Sequence, residues 1–142
     1  MTVSSTLAAA LPAIQPEDPG ARLLLFGLRQ MGAHGIHDAS AAHAFVMAFG
    51  KDFRRPLVLV RALVAEMSAA SSNPIQIAPW CCQRMTGAEA SVLAMLACSR
   101  IDPARSHLLL ADLLAVRDAY GVLATAQALA ECFHDLGLPL EG

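Results

Sequence analysis

"FRRPLVLVRALVAEMSAASS", residues 53–72, is the stretch on which the fold turns. Leu57, Val58, Leu59, Val60, Leu63, Val64 and Met67 leave it almost no polar face. Its β-branched residues admit a strand over 57–60, but the pattern continues through "RALVAEMSAA", further than a strand usually runs. Pro56 suits the first turn of a helix, where a missing N–H costs little. These residues predict a helix, apolar nearly all round and central in a helical protein.

The flanking sequence carries helix punctuation on both sides. Upstream, Asp38 is placed to cap a helix with Ala42, Phe45, Val46 and Phe49 on one face, and Gly50 to stop it. Before that, "DPGARLLLFGLRQMGAHG" (18–35) reads as a helix with Leu24, Leu28 and Met31 among its apolar residues. Downstream, "SNPIQIAP" (72–79) is a loop whose "IQI" fits a short extended piece. Thr86 and Glu89 have capping-box spacing ahead of "ASVLAMLACS". Asp102 followed by Pro103 opens "ARSHLLLADLLAV". A last helix over about 119–136 carries Val122, Ala126, Leu129, Phe133 and Leu136 as one stripe, with Gly137 and Pro139 ending it. The fold class is all-α, a compact bundle of about five to six helices. It forms a single domain over 20–142, preceded by a flexible N-terminal arm, residues 1–19, of Ser, Ala and Pro.

Hydrophobic residues make up 56% of the 142 and charged residues 15%, against about 25% charged in an average domain. A second copy of the chain is the simplest cover for the surplus apolar surface, so a homodimer is expected. The net charge of −2 and the lack of a basic stripe beyond the Arg54–Arg55 doublet argue against nucleic acid. No apolar run approaches the roughly 18 residues of a membrane span. The first twenty residues hold no Lys or Arg, unlike a signal peptide. A cytoplasmic protein with reduced cysteines is expected.

"MGAHGIHDASAAHAF", "FGKDFRRPLVLVRALVAEM", "IAPWCCQRMTGAE" and "GVLATAQALAECFHDLGLPL" together resemble a family of short, uncharacterised bacterial proteins, chiefly from alphaproteobacteria. The resemblance spans nearly everything after residue 20. It implies a bacterial, cytoplasmic helical protein, and it brings no reaction, ligand or site residue.

Cys81 and Cys82, in "APWCCQRMT" (78–86), are the first candidate site. Consecutive Cα atoms lie about 3.8 Å apart, short of the roughly 4.4–6.8 Å of a disulfide. Zinc favours C-x2–4-C pairs, a spacing that Cys81, Cys82, Cys98 and Cys132 do not form. Both thiols are therefore expected to be small packed side chains, free of metal. Pro79 and Trp80 are expected to turn the loop inward, leaving Cys82 as the more exposed thiol. The alternative is a thiol-based redox or metal-responsive centre: Arg84 and the helix start at Thr86 favour a thiolate, and His34 and His37 are the histidines that could join it. Asp38 as a cap on a solvated turn accounts for the same histidine-rich stretch. His107 and His134 read as surface residues.

Arg61, midway along the most apolar helix, needs a partner if buried. Asp112 and Glu131 are the leading candidates, and snorkelling to water is the other solution. Catalytic apparatus is not visible: there is no G-x-S-x-G setting and no Gly-rich phosphate loop. Glu131 and His134 are only a fragment of a di-iron motif, which needs a second such pair and two more glutamates. No cofactor is expected. The sequence points most simply to a non-catalytic homodimeric binding or interaction protein, with its ligand unknown.

Overall fold

The computed structural model describes residues 2, 3 and 13–141. Six α-helices make up most of them: α1 (Pro19–His34), α2 (Ala39–Phe49), α3 (Arg54–Ala70), α4 (Gly87–Cys98), α5 (Pro103–Leu114) and α6 (Tyr120–Asp135). A single 3-10 turn, Gly50–Asp52, joins α2 to α3. Four two-residue strands accompany them: β1 (Thr2–Val3), β2 (Ala13–Ile14), β3 (Gln76–Ile77) and β4 (Arg84–Met85). β1 runs parallel to β3, and β2 antiparallel to β4, with Ile14 opposite Arg84. The chain is thus an all-α, compact helical fold. Of the arm expected over residues 1–19, residues 1 and 4–12 lie outside the described residues. Its described parts form these two short ladders and the entry to α1.

The helix boundaries follow local chemistry. Asp18 accepts from the Ala21 amide at 3.1 Å with Pro19 in the first turn, and Asp38 accepts from the Ala41 amide at 2.9 Å. Thr86 and Glu89 close a full capping box, and Asp102 accepts from the Arg105 amide at 3.2 Å. Gly50 and Gly137 end α2 and α6 with φ of 60° and 85°, where a side chain would be strained. Gly20 has a different reason. A Cβ there would lie 2.5 Å from the Leu138 carbonyl oxygen, so the C-terminal segment seats directly on the first turn of α1.

α3 packs on α6, α4 on α5, and α1 on α2 and α3, around one apolar core. Leu24, Phe45, Val60, Leu63, Met67, Met95, Leu110, Leu129 and Phe133 are fully buried in it. Removing such a side chain from water contributes about 1.5–3 kcal/mol each. Phe45, Phe49 and Phe133 tie α2 to α6, with ring centroids 5.2–6.0 Å apart.

Three expectations change here. α3 is not buried all round: Leu57, Val60, Leu63, Val64 and Met67 face the core, while Val58, on the opposite side of the helical turn, is 59% exposed. Of the two solutions open to Arg61, an ion pair with Asp112 or Glu131 is not found among the described residues. Arg61 is half-buried at the flank of α3, and its Nε donates to the Ile36 carbonyl at 2.8 Å. Glu131 is instead 2.7 Å from Arg100, and Asp112 is exposed on α5. The carbonyl at the α1–α2 connection is the nearer acceptor, so neither acid is called upon. His107 is not a surface residue. It is buried, stacks on Tyr120 with centroids 3.8 Å apart, and accepts the Ala119 amide on Nε2 at 3.0 Å. That bond holds the start of α6, whose cap has no side-chain hydrogen bond of its own.

Among the described residues, no helix is long and apolar enough to cross a membrane.

Candidate interaction site

Residues 78–86 connect β3 to α4, and Pro79 and the lack of any periodic pattern keep them out of a helix. Glu89 organises them. As the third residue of α4, its carboxylate reaches back to the Thr86 amide at 2.9 Å, as a capping-box glutamate does, where the helix dipole favours negative charge. The same carboxylate accepts the Ala78 amide at 3.1 Å. Both ends of the loop therefore rest on one side chain.

Arg29 of α1 holds the middle. Its Nε donates to Glu89 Oε2 at 2.8 Å and its Nη2 to Oε1 at 3.1 Å, the fork geometry of a bidentate pair. Nη1 donates to the Cys82 carbonyl at 2.7 Å and Nη2 to the Arg84 carbonyl at 2.8 Å. Both side chains are 1% exposed. A buried charge pair is tolerated only when its remaining donors and acceptors are met, and here they are met by the loop backbone. Among the described residues, no buried side-chain nitrogen or oxygen lacks a partner.

The outer side of the loop is also tied. Gln15 Nε2 donates to the Cys82 carbonyl at 2.6 Å, the Gln15 amide reaches the Gln83 carbonyl, and the Cys82 amide closes a turn on the Pro79 carbonyl at 3.0 Å. Thr86 Oγ1 donates to the Gln76 carbonyl at 2.7 Å. The backbone is thus pinned while its side chains at the tip project outward. Trp80 is 64% exposed, Cys81 is exposed and Cys82 is half-buried. The inward turn expected for Trp80 is corrected, as is the order of the two thiols. The anchored atoms are carbonyls of Cys82 and Arg84, which turns Cys82 toward the body and leaves Trp80 and Cys81 outside.

All four cysteines are free. Burial pushes the Cys132 thiol on α6 above its ordinary range; Arg55 lowers it in part and Asp135 raises it further. His34 and His37 are both exposed, at the end of α1 and in the turn after it. Among the described residues, no three His, Cys, Asp or Glu side chains gather as they would to hold a metal ion.

Sequence reasoning missed Arg29. Its signal was present: Arg29 stands four residues after Leu25 and next to Leu28, on the apolar side of α1, where a charge must have a partner. Glu89 was legible only as a cap. The family model of DUF6628, a family of unknown function, matches residues 2–138. The chain belongs to that family. The DUF6628 match takes in all six helices together with the pinned loop. No curated protein and no solved structure matches the chain.

Proposed function

We propose that this DUF6628 protein is a non-catalytic, homodimeric interaction protein that makes contact through the loop around Trp80. One observation carries this: a tryptophan 64% exposed at the tip of a loop whose backbone is clamped by a fully buried ion pair. A buried ion pair adds little net stability over an apolar packing of the same volume, but it sets geometry. A pinned loop loses little conformational entropy on binding, and tryptophan is among the side chains most enriched at binding hot spots. Ile14, 73% exposed, sits opposite Arg84 in the ladder beside the same loop and adds apolar surface there.

Sedimentation equilibrium at micromolar concentration tests the proposal. The parent is expected to be a dimer, and Trp80→Ala a monomer with the parent's helical content by circular dichroism. A monomeric parent overturns the dimer, and an equally dimeric Trp80→Ala moves the contact elsewhere. The cytoplasmic, bacterial setting and independence from nucleic acid belong to the same proposal; four free thiols fit a reducing compartment, a net charge of −2 fits independence from nucleic acid, and the bacterial setting rests on the sequence resemblance alone.

A thiol-based redox or metal-responsive role is the second reading, favoured by Cys81 standing exposed next to half-buried Cys82 at that tip. Thiol titration with and without zinc separates it. Metal protection of both thiols, with a zinc stoichiometry lost in Cys81→Ala, supports it, and equal rates with and without zinc remove its metal branch.

A further inference from the structure

At the N-terminal end of α3 lies a cleft whose lining includes no residue of the interaction loop. It measures about 360 Å³ and lies between the Gly50–Asp52 turn, the first turn of α3 and the last turn of α6. That volume falls in the range of small-molecule sites, about 300–1,000 Å³. Lys51, Arg54 and Arg55 line it, and among the described residues none of the three forms an ion pair. The α3 N-terminus at the same place has no side-chain cap: Phe53 occupies the cap position and makes no side-chain hydrogen bond. Its first amides and the positive end of the helix dipole therefore add to the field of the three cations.

The inner wall has a different character. Cys132 is 4% exposed, lines the cleft and is free of any disulfide. Leu136 lines it too. The cleft thus joins a cationic mouth to a small, mostly apolar wall with one weak donor. Asp52 and Asp135 also line it. Three cations against two carboxylates leave one net positive charge. A phosphate dianion would meet both acids at close range, while a singly charged oxyanion matches the balance.

We infer that this cleft binds a small monocarboxylate with a short apolar body, its carboxylate held by Arg54, Arg55 and the α3 N-terminus and its body against Leu136 and Cys132. Arginine suits the role, because its planar fork meets a carboxylate through two parallel hydrogen bonds. The ligand class follows from charge and size at this site alone and is independent of the dimer contact.

Amide chemical-shift titration of the full chain with benzoate and hexanoate tests the assignment, with benzamide and inorganic phosphate as comparisons. Saturable shifts are expected on residues 51–55 and 132–136, with dissociation constants near 1 mM, as befits so few contacts. Benzamide, which lacks the charge, should bind about tenfold more weakly or worse, and Arg55→Gln should weaken benzoate by about the same factor. Arg55 is exposed, so Arg55→Gln should fold normally, and Arg100→Gln, which does not line the cleft, should bind benzoate as the parent does. No saturable shift, shifts of equal size with benzamide, or undiminished binding by Arg55→Gln overturns the site. Phosphate binding more tightly than benzoate overturns the monocarboxylate.

Discussion

Arg29 and Arg61 stand in two neighbouring helices, each among apolar side chains, and they reach opposite solutions. Arg29 is 2% exposed and meets Glu89 in a bidentate pair, with two loop carbonyls taking further N–H groups. Arg61 is half-buried, and its Nε meets one carbonyl, that of Ile36. The difference comes from what packs opposite. α1 faces a loop whose short ladder with β2 leaves the Cys82 and Arg84 carbonyls to accept from a side chain, so a multivalent donor there answers several acceptors at once. α3 at Arg61 faces the short α1–α2 connection, where one carbonyl is open, and water can solvate the rest. Arg100 and Glu131 make a third case, 36% and 53% exposed, where the same chemistry stands in solvent.

These three arginines should separate in equilibrium denaturation. Glu89→Ala strands the Arg29 guanidinium, the Ala78 amide and the Thr86 amide in a dry place. It is expected to cost about 3–5 kcal/mol and to loosen the loop, seen as faster amide exchange over 78–86. Glu89→Gln keeps the shape and one acceptor oxygen, so it should cost less than Glu89→Ala while still losing the charge pairing. A loss of under 1 kcal/mol for Glu89→Ala would place Glu89 in solvent and dissolve the contrast.

Arg61→Leu comes next. It removes one hydrogen bond from a half-buried carbonyl that water can reach, for about 0.5–1.5 kcal/mol. A cost near that of Glu89→Ala would mean that Arg61 has an ionic partner after all. Arg100→Ala should cost less still, about 0–1 kcal/mol, and that cost should shrink further in high salt, because an exposed pair is screened.

The two ends of the thiol series give the smallest effects on stability and the clearest on rate. Cys81→Ser should leave stability within about 0.5 kcal/mol, as expected for an exposed position. Alkylation of the folded protein at neutral pH should label Cys81 first and Cys132 last, since Cys132 is buried and its thiol is held protonated by desolvation. As pH rises this order should persist. The raised folded-state value means that ionising Cys132 works against the fold, so the stability tied to its neutral form is present below the unfolded thiol's range and lost as pH climbs through the folded one. Fast labelling of Cys132 in the folded state would show that its burial does not hold the thiol protonated.

Most helix limits were legible because they depend on residues within one turn of each other. Asp38, Thr86 with Glu89, Asp102 with Pro103, and Gly50 and Gly137 all act through local hydrogen bonds or a single backbone angle. The apolar stripe of α6 was legible for the same reason, since Val122, Ala126, Leu129 and Phe133 recur at the helix period and are buried. Orientation of long-range partners was not. Trp80 reads as a core residue in a list of amino acids, yet it is exposed because its neighbours' carbonyls are spent on Arg29 and Gln15. His107 reads as a surface residue among polar neighbours, yet it is buried because the α5–α6 connection folds Tyr120 and the Ala119 amide onto its ring.

What the sequence determined by itself was the class of fold, about five to six helices with most of their limits, and the position of the loop at 72–79. Periodicity, caps and breakers act over three or four residues and survive without any tertiary context. What only the tertiary structure decided was the pairing of groups far apart in the chain. Arg29 and Glu89 are separated by 60 residues, and nothing within either helix signals the other. Arg54, Arg55 and Cys132 likewise share a cleft only because α3 packs on α6. A buried charge demands a partner, but the demand is met by whichever group the packing of apolar faces brings within about 3 Å.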